Sequence, residues 1–144
     1  MCSTRTYATL TIYSDSDSDS PDAISARLGI GPDEIVRKGS VVANALIASN
    51  HAWSISTKGL ILDGGPDAHL ACLFGRIPVS SRVNDLVQRG CEAWVWLFFE
   101  TSERNDGVML SPEIVKKIAD IGASIALDIY MCDEEAHESG ALPE

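Results

Sequence analysis

Two short stretches carry residues whose types and spacing could support chemistry, and both could bind a metal. In the first, His69 and Cys72 lie about one helical turn apart, with Asp67 just before them. The three could hold a metal ion if a fourth ligand came from elsewhere, but structural zinc sites usually show two pairs of ligands. We therefore expect a polar histidine and a buried cysteine on a half-exposed helix, and no metal.

The second stretch, YSDSDSDSP, alternates acids with serines near the start of the chain. A calcium-binding loop alternates acids in this way, but it also needs a glycine at its sixth position and a glutamate at its twelfth. Counted from Asp15, those positions hold Ser20 and Ala26. We therefore expect Asp15, Asp17 and Asp19 to form a solvated acidic loop between a strand and a helix.

The chain shows no recognisable catalytic motif. GxSxG, the P-loop, GxGxxG and HExxH are all absent, and the histidines lie far apart, at His51, His69 and His137. A hydrolytic triad needs a nucleophile, a base and an acid that converge. We therefore predict that the protein is not an enzyme and uses no cofactor.

The formal net charge is −10, and most of it is concentrated in two places. Residues 14–22 hold four aspartates and residues 133–144 hold five acids, with no Lys or Arg in either. Nucleic acids and anionic membranes need a basic surface, so we expect neither as a partner. A basic protein partner fits this charge, since complementary charge speeds encounter.

Two features predict a cytoplasmic protein. No segment approaches the roughly 18 apolar residues of a membrane span, and the N-terminal residues MCSTRTYATL do not resemble a signal peptide. The cysteines, Cys2, Cys72, Cys91 and Cys132, are widely spaced and form no CxxC pair, as expected for reduced thiols. Cys91 and Cys132 adjoin apolar runs and are predicted to lie in the core.

Periodicity predicts strands alternating with helices. Alternating or continuous apolar residues indicate strands at 7–13, 51–57, 91–100 and 124–132, and a short one is possible at 34–38. Apolar residues at helical spacing, with Ser-Pro-acid starts at Ser20 and Ser111, indicate helices at 20–28, 67–74, 79–90 and 111–121. The segment 41–49 is left open between strand, helical turn and loop.

These elements predict one α+β domain over residues 1–132, followed by an acidic, flexible tail at 133–144. We expect a two-layer sandwich with a mostly antiparallel sheet of four to five strands and helices mainly on one face. A ferredoxin-like topology is favoured. The helices should then cover one face of the sheet, including Leu127 and Ile129.

The opposite face of the sheet is the candidate binding surface. The strand CEAWVWLFFE is apolar on both sides, so aromatic side chains should project where no helix lies over them. A homodimer or a loop could cover this face instead, and Asp128 could simply fix local structure. The predicted surface consists of Tyr7, Tyr13, Trp94, Trp96, Phe98, Asp128 and Tyr130.

Several short motifs occur in an order that is fairly specific. They are Leu28-Gly29 with Pro32, Trp53-Ser54, Leu110-Ser111-Pro112 and Asp128-Ile129-Tyr130. Over most of the chain, this order resembles the bacterial family called domain of unknown function 4279, apart from a longer acidic loop here. The resemblance implies a small intracellular domain without an assigned activity. Some such families serve as immunity proteins against toxins, which is an analogy only.

We therefore expect a non-catalytic protein-interaction module, of which an immunity-type inhibitor of a basic partner is one form. The partner could also be a second copy of the chain. The alternative is a small-ligand binding domain that uses the aromatic sheet face. An enzyme is the third hypothesis, and it would require His69, Cys72 and Asp67 to share a metal-binding pocket.

Overall fold

The computed structural model describes residues 5–61, 64–102 and 107–131. Five strands are β1 (Arg5–Ser14), β2 (Glu34–Val36), β3 (His51–Ser56), β4 (Glu92–Thr101) and β5 (Ser124–Met131). Four helices are α1 (Pro21–Leu28), α2 (Pro66–Gly75), α3 (Ser81–Gln88) and α4 (Pro112–Asp120). The predicted α+β class is confirmed, and the tail predicted at 133–144 lies outside the described residues.

The strands form one open sheet in the order β2-β3-β1-β4-β5. Every neighbouring pair is antiparallel except β4 and β5, which are parallel and connected through α4. The prediction of a mostly antiparallel sheet is therefore confirmed. The ferredoxin-like topology is not, because that motif runs β-α-β-β-α-β whereas this chain runs β-α-β-β-α-α-β-α-β.

Two helices begin as the sequence predicts. The hydroxyl of Ser20 accepts the backbone N–H of Ala23, and the hydroxyl of Ser111 accepts that of Ile114, each at 3.3 Å. Such bonds satisfy N–H groups that the first helical turn leaves without a partner. The proline that follows each serine has no N–H to satisfy, so it suits the first helical position.

Alternate side chains of the three central strands are buried. These are Ala8, Leu10, Ile12, Trp53, Ile55, Ala93, Val95 and Leu97. They share one core with buried residues from all four helices, which are Ile24, Leu28, Leu70, Leu73, Val83, Leu86, Ile114 and Ile118. The described helices therefore all pack on one face of the sheet, and none of them lies on the other face.

Strand β5 departs from this pattern. Its register with β4 places Ile125, Leu127 and Ile129 on the same side as the buried residues of β4. They nevertheless stay 37%, 51% and 55% exposed. The prediction that helices cover Leu127 and Ile129 is wrong, because β5 lies at the sheet edge while α4 directs its buried residues into the central core.

The segment left open at 41–49 belongs to a hairpin between β2 and β3. The N–H of Val42 donates to the carbonyl of Leu46 at 2.7 Å, and the N–H of Leu46 donates to the carbonyl of Ala43 at 3.3 Å. Asn44 and Ala45, at the tip, both have φ of 60°. Two positive φ angles in a row define the tight turn that suits a right-handed strand twist.

The turn between α4 and β5 depends on Gly122, which has φ of 74°. A Cβ there would lie 2.9 Å from Asn84 Nδ2 and 3.3 Å from Val87 Cγ1, both on α3. We expect Gly122→Ala to lower the free energy of unfolding by about 2 kcal/mol, because left-handed backbone alone costs an alanine about 1–2 kcal/mol. Urea unfolding followed by tryptophan fluorescence measures the change.

The matched control is Gly31→Ala, where φ is not positive and no atom lies within 4 Å of the added Cβ. We expect a change within about 0.5 kcal/mol, as for an ordinary surface substitution. Equal effects of the two substitutions would contradict the close approach of α3 to the α4–β5 turn.

Candidate binding surface

The helix-free face of the sheet carries large aromatic side chains. The register between β1 and β4 places Tyr7 opposite Phe98, Thr9 opposite Trp96 and Thr11 opposite Trp94. Trp96 is 38% exposed, although tryptophan is usually well covered in folded domains. We call Tyr7, Trp94, Trp96, Phe98 and Tyr130 the aromatic row.

Members of the aromatic row are packed against each other. The rings of Tyr7 and Phe98 stack with centroids 4.7 Å apart, and those of Phe98 and Tyr130 lie 5.3 Å apart. Trp94 and Trp96 stack at 5.8 Å, with an angle of 25° between their planes. Ring contacts at such distances are favourable, so the row presents a preorganised apolar surface.

Two cations lie over rings of the row. The guanidinium carbon of Arg5 is 5.2 Å from the centroid of Phe98, and the ammonium of Lys58 is 5.4 Å from that of Tyr7. Ring faces are electronegative and attract cations within about 6 Å. Neither Arg5 nor Lys58 was predicted, because their positions over the rings depend on the strand register and no local motif marks them.

Carboxylates border the aromatic row. Glu92 and Glu100 begin and almost end β4 on the same face as its tryptophans, because side chains alternate along a strand. Asp128, which pairs with Phe98 across β4 and β5, is half-buried. Its carboxylate accepts a hydrogen bond from the Tyr130 hydroxyl and raises the pKa of Tyr130. Tyr13 lies at the end of the face, opposite Glu92.

The other half of this face is polar and contains a cleft of about 520 Å³. Thr9 donates to the hydroxyl of Ser56 at 3.1 Å, and the hydroxyls of Thr11 and Ser54 are also 3.1 Å apart. The side chains around the cleft include Tyr7, Thr9, Ser54, Ser56, Lys58 and Arg76.

An ion pair at the cleft extends the sheet pairing just before β2 begins. The carboxylate of Asp33 accepts the backbone N–H of Ser56 at 2.7 Å, and Arg76 donates to the carbonyl of Ser56 at 2.8 Å. Arg76 also donates to both oxygens of Asp33, at 2.5 and 3.2 Å. The two side chains thus bond the backbone N–H and carbonyl of Ser56, which a longer β2 would otherwise have paired. The bond from Arg76 holds the pKa of Asp33 below its ordinary value.

This pair makes stability depend on pH. Because the folded-state pKa of Asp33 is lowered from 3.8, its contribution is present above about pH 4 and is lost as the pH falls further. Asp33→Asn should therefore lower the free energy of unfolding at pH 7. The difference in this free energy between the variant and the unsubstituted protein should narrow below pH 4. Urea unfolding at a series of pH values measures both.

Glu34→Gln, which neutralises the exposed neighbouring carboxylate, is the control for general charge effects. It should leave the pH dependence close to that of the unsubstituted protein. A gap for Asp33→Asn that stays constant between pH 7 and pH 3 would contradict the role assigned to the ion pair.

The acidic loop is a structural connection more than a free acidic surface. Asp19, expected to be solvated, is only 4% exposed, and its Oδ1 lies 3.1 Å from Arg89 Nε and 3.6 Å from Arg27 Nε. Asp17 accepts a hydrogen bond from His51 Nε2 at 2.9 Å. A buried carboxylate requires such partners, and one of them, Arg89, lies 70 residues further along the chain. Asp15 remains exposed.

His51 is held in one tautomer by its two partners. Its Nδ1 accepts the backbone N–H of Lys38 at 2.9 Å, so Nδ1 carries no proton. Nε2 then bears the hydrogen and donates it to Asp17. The buried imidazole therefore links the acidic loop to the chain that follows β2.

The residues considered for a metal have other partners. The hydroxyl of Thr57 lies 2.8 Å from Nδ1 of His69, whose pKa is lowered by burial. Asp67 accepts the backbone N–H of Ser111 at 3.0 Å. Within residues 5–61, 64–102 and 107–131, no three His, Cys, Asp or Glu side chains are arranged to hold a metal ion.

Two of the cysteines lie in the described part of the chain, whereas the other two and the third histidine do not. Cys91 is buried, as predicted, and burial raises the pKa of its thiol. Cys72 is half-buried. Cys2, Cys132 and His137 lie outside the described residues, so the prediction of a core position for Cys132 stays a prediction.

The fold and this face together define a class: a two-layer α+β domain whose sheet has one aromatic face that none of the described helices covers. The family model for the domain of unknown function 4279 matches residues 4–132, so the chain belongs to this family. Comparisons with curated proteins and with solved structures each found no match. None of the helices in the described part of the chain has the length and apolar character needed to cross a membrane.

Proposed function

We propose that this domain is a non-catalytic protein-binding module that acts in the cytoplasm and holds a basic partner against its aromatic row. The observation that carries the proposal is the half-exposed position of Trp96, within packed rings, on the sheet face opposite the described helices. Aromatic residues of this kind supply much of the binding energy in protein interfaces.

The chemistry of the face favours a partner rich in arginine. Arg5 and Lys58 already lie over Phe98 and Tyr7, so the rings accept cations from within the chain. Trp96 offers a further exposed ring, and tryptophan is the ring that attracts cations most strongly. The carboxylates of Glu92 and Glu100 can pair with the same cations, and the net charge of −10 favours their approach.

An immunity-type inhibitor is one specific form of this proposal. Such an inhibitor neutralises its target by covering it, which needs a rigid, charge-complementary surface but no catalytic group. The support is the acidic charge and the packed aromatic row. The analogy with other small bacterial families of this kind adds to it.

The test is affinity capture from a bacterial lysate, followed by reconstitution of the captured protein in pure form. We expect a captured protein of basic isoelectric point, and binding that weakens as salt rises, because exposed charge pairs are screened. Trp96→Ala should weaken the reconstituted complex at least tenfold, since truncating a central aromatic residue costs about 2 kcal/mol or more. Isothermal titration calorimetry measures the affinity.

Val79→Ala is the matched control, because Val79 is an apolar residue of similar exposure, 43%, that precedes α3 on the helix side. It should bind the same protein with unchanged affinity. Equal binding by Trp96→Ala and the unsubstituted chain, or a partner that is acidic, would contradict the proposal.

A small-ligand binding domain is the second candidate, and the cleft beside Thr9 and Ser56 favours it. Its volume of about 520 Å³ lies within the range of about 300–1,000 Å³ typical of ligand sites. The hydroxyls lie among two cations, Lys58 and Arg76, and two carboxylates, Asp33 and Glu34, so the cleft suits a polar molecule that carries groups of both charges.

A thermal-shift screen of small polar metabolites, zwitterions included, tests this second candidate. A ligand at a hundred times its dissociation constant should stabilise the fold by about 2.7 kcal/mol. Lys58→Ala should reduce that shift, whereas Lys116→Ala, on the exposed side of α4, should not. A screen in which no compound raises the melting temperature speaks against this candidate.

A further inference from the structure

Strand β5 has a free edge that is unusually open to pairing. It spans Ser124–Met131 at one end of the sheet, and no strand within the described residues lies on its outer side. Natural proteins usually protect such an edge with lysines, prolines or bulges. The sequence SIALDIYM contains neither lysine nor proline, and its one charge, Asp128, points to the helix-free face.

The helix side of this edge is apolar and uncovered. Ile125, Leu127 and Ile129 alternate along β5 and are roughly one third to one half exposed, although the matching residues of β4 are buried. Val115 on α4, the helix that immediately precedes β5, is 51% exposed as well. A strand with both an open backbone and an apolar stripe is a template for another strand.

A second copy of the same strand fits this edge in one register. In an antiparallel pair related by a two-fold axis, opposite residues point to the same face, so the apolar stripes can meet only when the axis passes through a residue. An axis at Leu127 pairs residues 124–130 of both copies. It sets Leu127 against Leu127, Ile125 against Ile129, and Asp128 against Ala126.

The two neighbouring registers are worse. An axis at Asp128 sets the two carboxylates directly opposite each other, which destabilises a strand pair. An axis at Ala126 pairs only residues 124–128 and leaves Ile129 of each copy uncovered. The strand is therefore self-complementary about Leu127, which identifies a second copy of the chain as its occupant.

We propose that two copies pair through antiparallel β5 strands centred on Leu127 and form one continuous sheet of ten strands, five from each copy. Because opposite residues point to the same side, both helical layers lie on one face and both aromatic rows lie on the other. This pairing does not rest on the proposed binding function, since it uses the sheet edge and not the sheet face.

The test is the mass of the full chain in solution, measured by sedimentation between about 1 and 200 µM. The unsubstituted protein should form a dimer that dissociates on dilution. Leu127→Glu and Leu127→Lys should each be monomeric at every concentration, because each places like charges opposite each other at the axis. Circular dichroism and tryptophan fluorescence, to which the buried Trp53 contributes, check that both variants stay folded.

An equimolar mixture of the two variants tests the register. If residue 127 faces itself, glutamate meets lysine and the mixture should form a heterodimer, detected by native mass spectrometry. Val79→Glu is the control; it introduces a charge at an exposed apolar position that is not part of β5 or the sheet, and it should leave the dimer intact.

Three results would overturn the proposal. One is an unsubstituted protein that is monomeric throughout, and another is a Leu127→Glu dimer as tight as that of the unsubstituted chain. The third is a mixture that stays monomeric although both variants are folded, because that result rules out the register centred on Leu127.

Discussion

The central constraint on this domain is that all four described helices pack on one face of a five-stranded sheet. The buried side chains of β1, β3 and β4 alternate along each strand, so every second residue must point away from the helices. Along β1 and β3 those outward residues are mainly hydroxyls, which tolerate water. Along the middle of β4 they are two tryptophans and a phenylalanine, so this face is apolar along a stretch that none of the described helices covers.

Charge is distributed differently from what the composition suggests. The acidic repeat accounts for much of the net charge, yet Asp19 is buried between Arg27 and Arg89, and Asp17 is bonded to His51. These contacts tie the repeat to α1, to the end of α3 and to β3, so Asp17 and Asp19 stabilise the fold locally. Beside the rings of the sheet face, the carboxylates of Glu92 and Glu100 remain available to a partner. Electrostatic attraction and apolar contact can therefore act on a partner at the same place, the aromatic row.

Much of the fold could be predicted from the sequence because it follows local rules. Alternation identified the strands, and Ser-Pro-acid starts located α1 and α4. The contacts that the sequence did not reveal are those between distant segments. Arg76 contacts Asp33 and Ser56 only after the sheet has formed. Asp19 and Arg89 are likewise far apart in the sequence and come together only in the folded chain. The hairpin tip at Asn44 and Ala45 lacks the glycine that usually marks such a turn.

Strand β5 shows most clearly why periodicity alone is insufficient. Its apolar stripe is as regular as those of the central strands, and alternation predicts burial for both. Burial depends on what lies above the strand, and an edge strand has neighbours on one side only. Pairing at that edge would lengthen the sheet within its own plane, through backbone groups and the stripe on the helix side. It would leave the aromatic row open, so a second copy at the edge and a basic partner on the face could be bound at the same time.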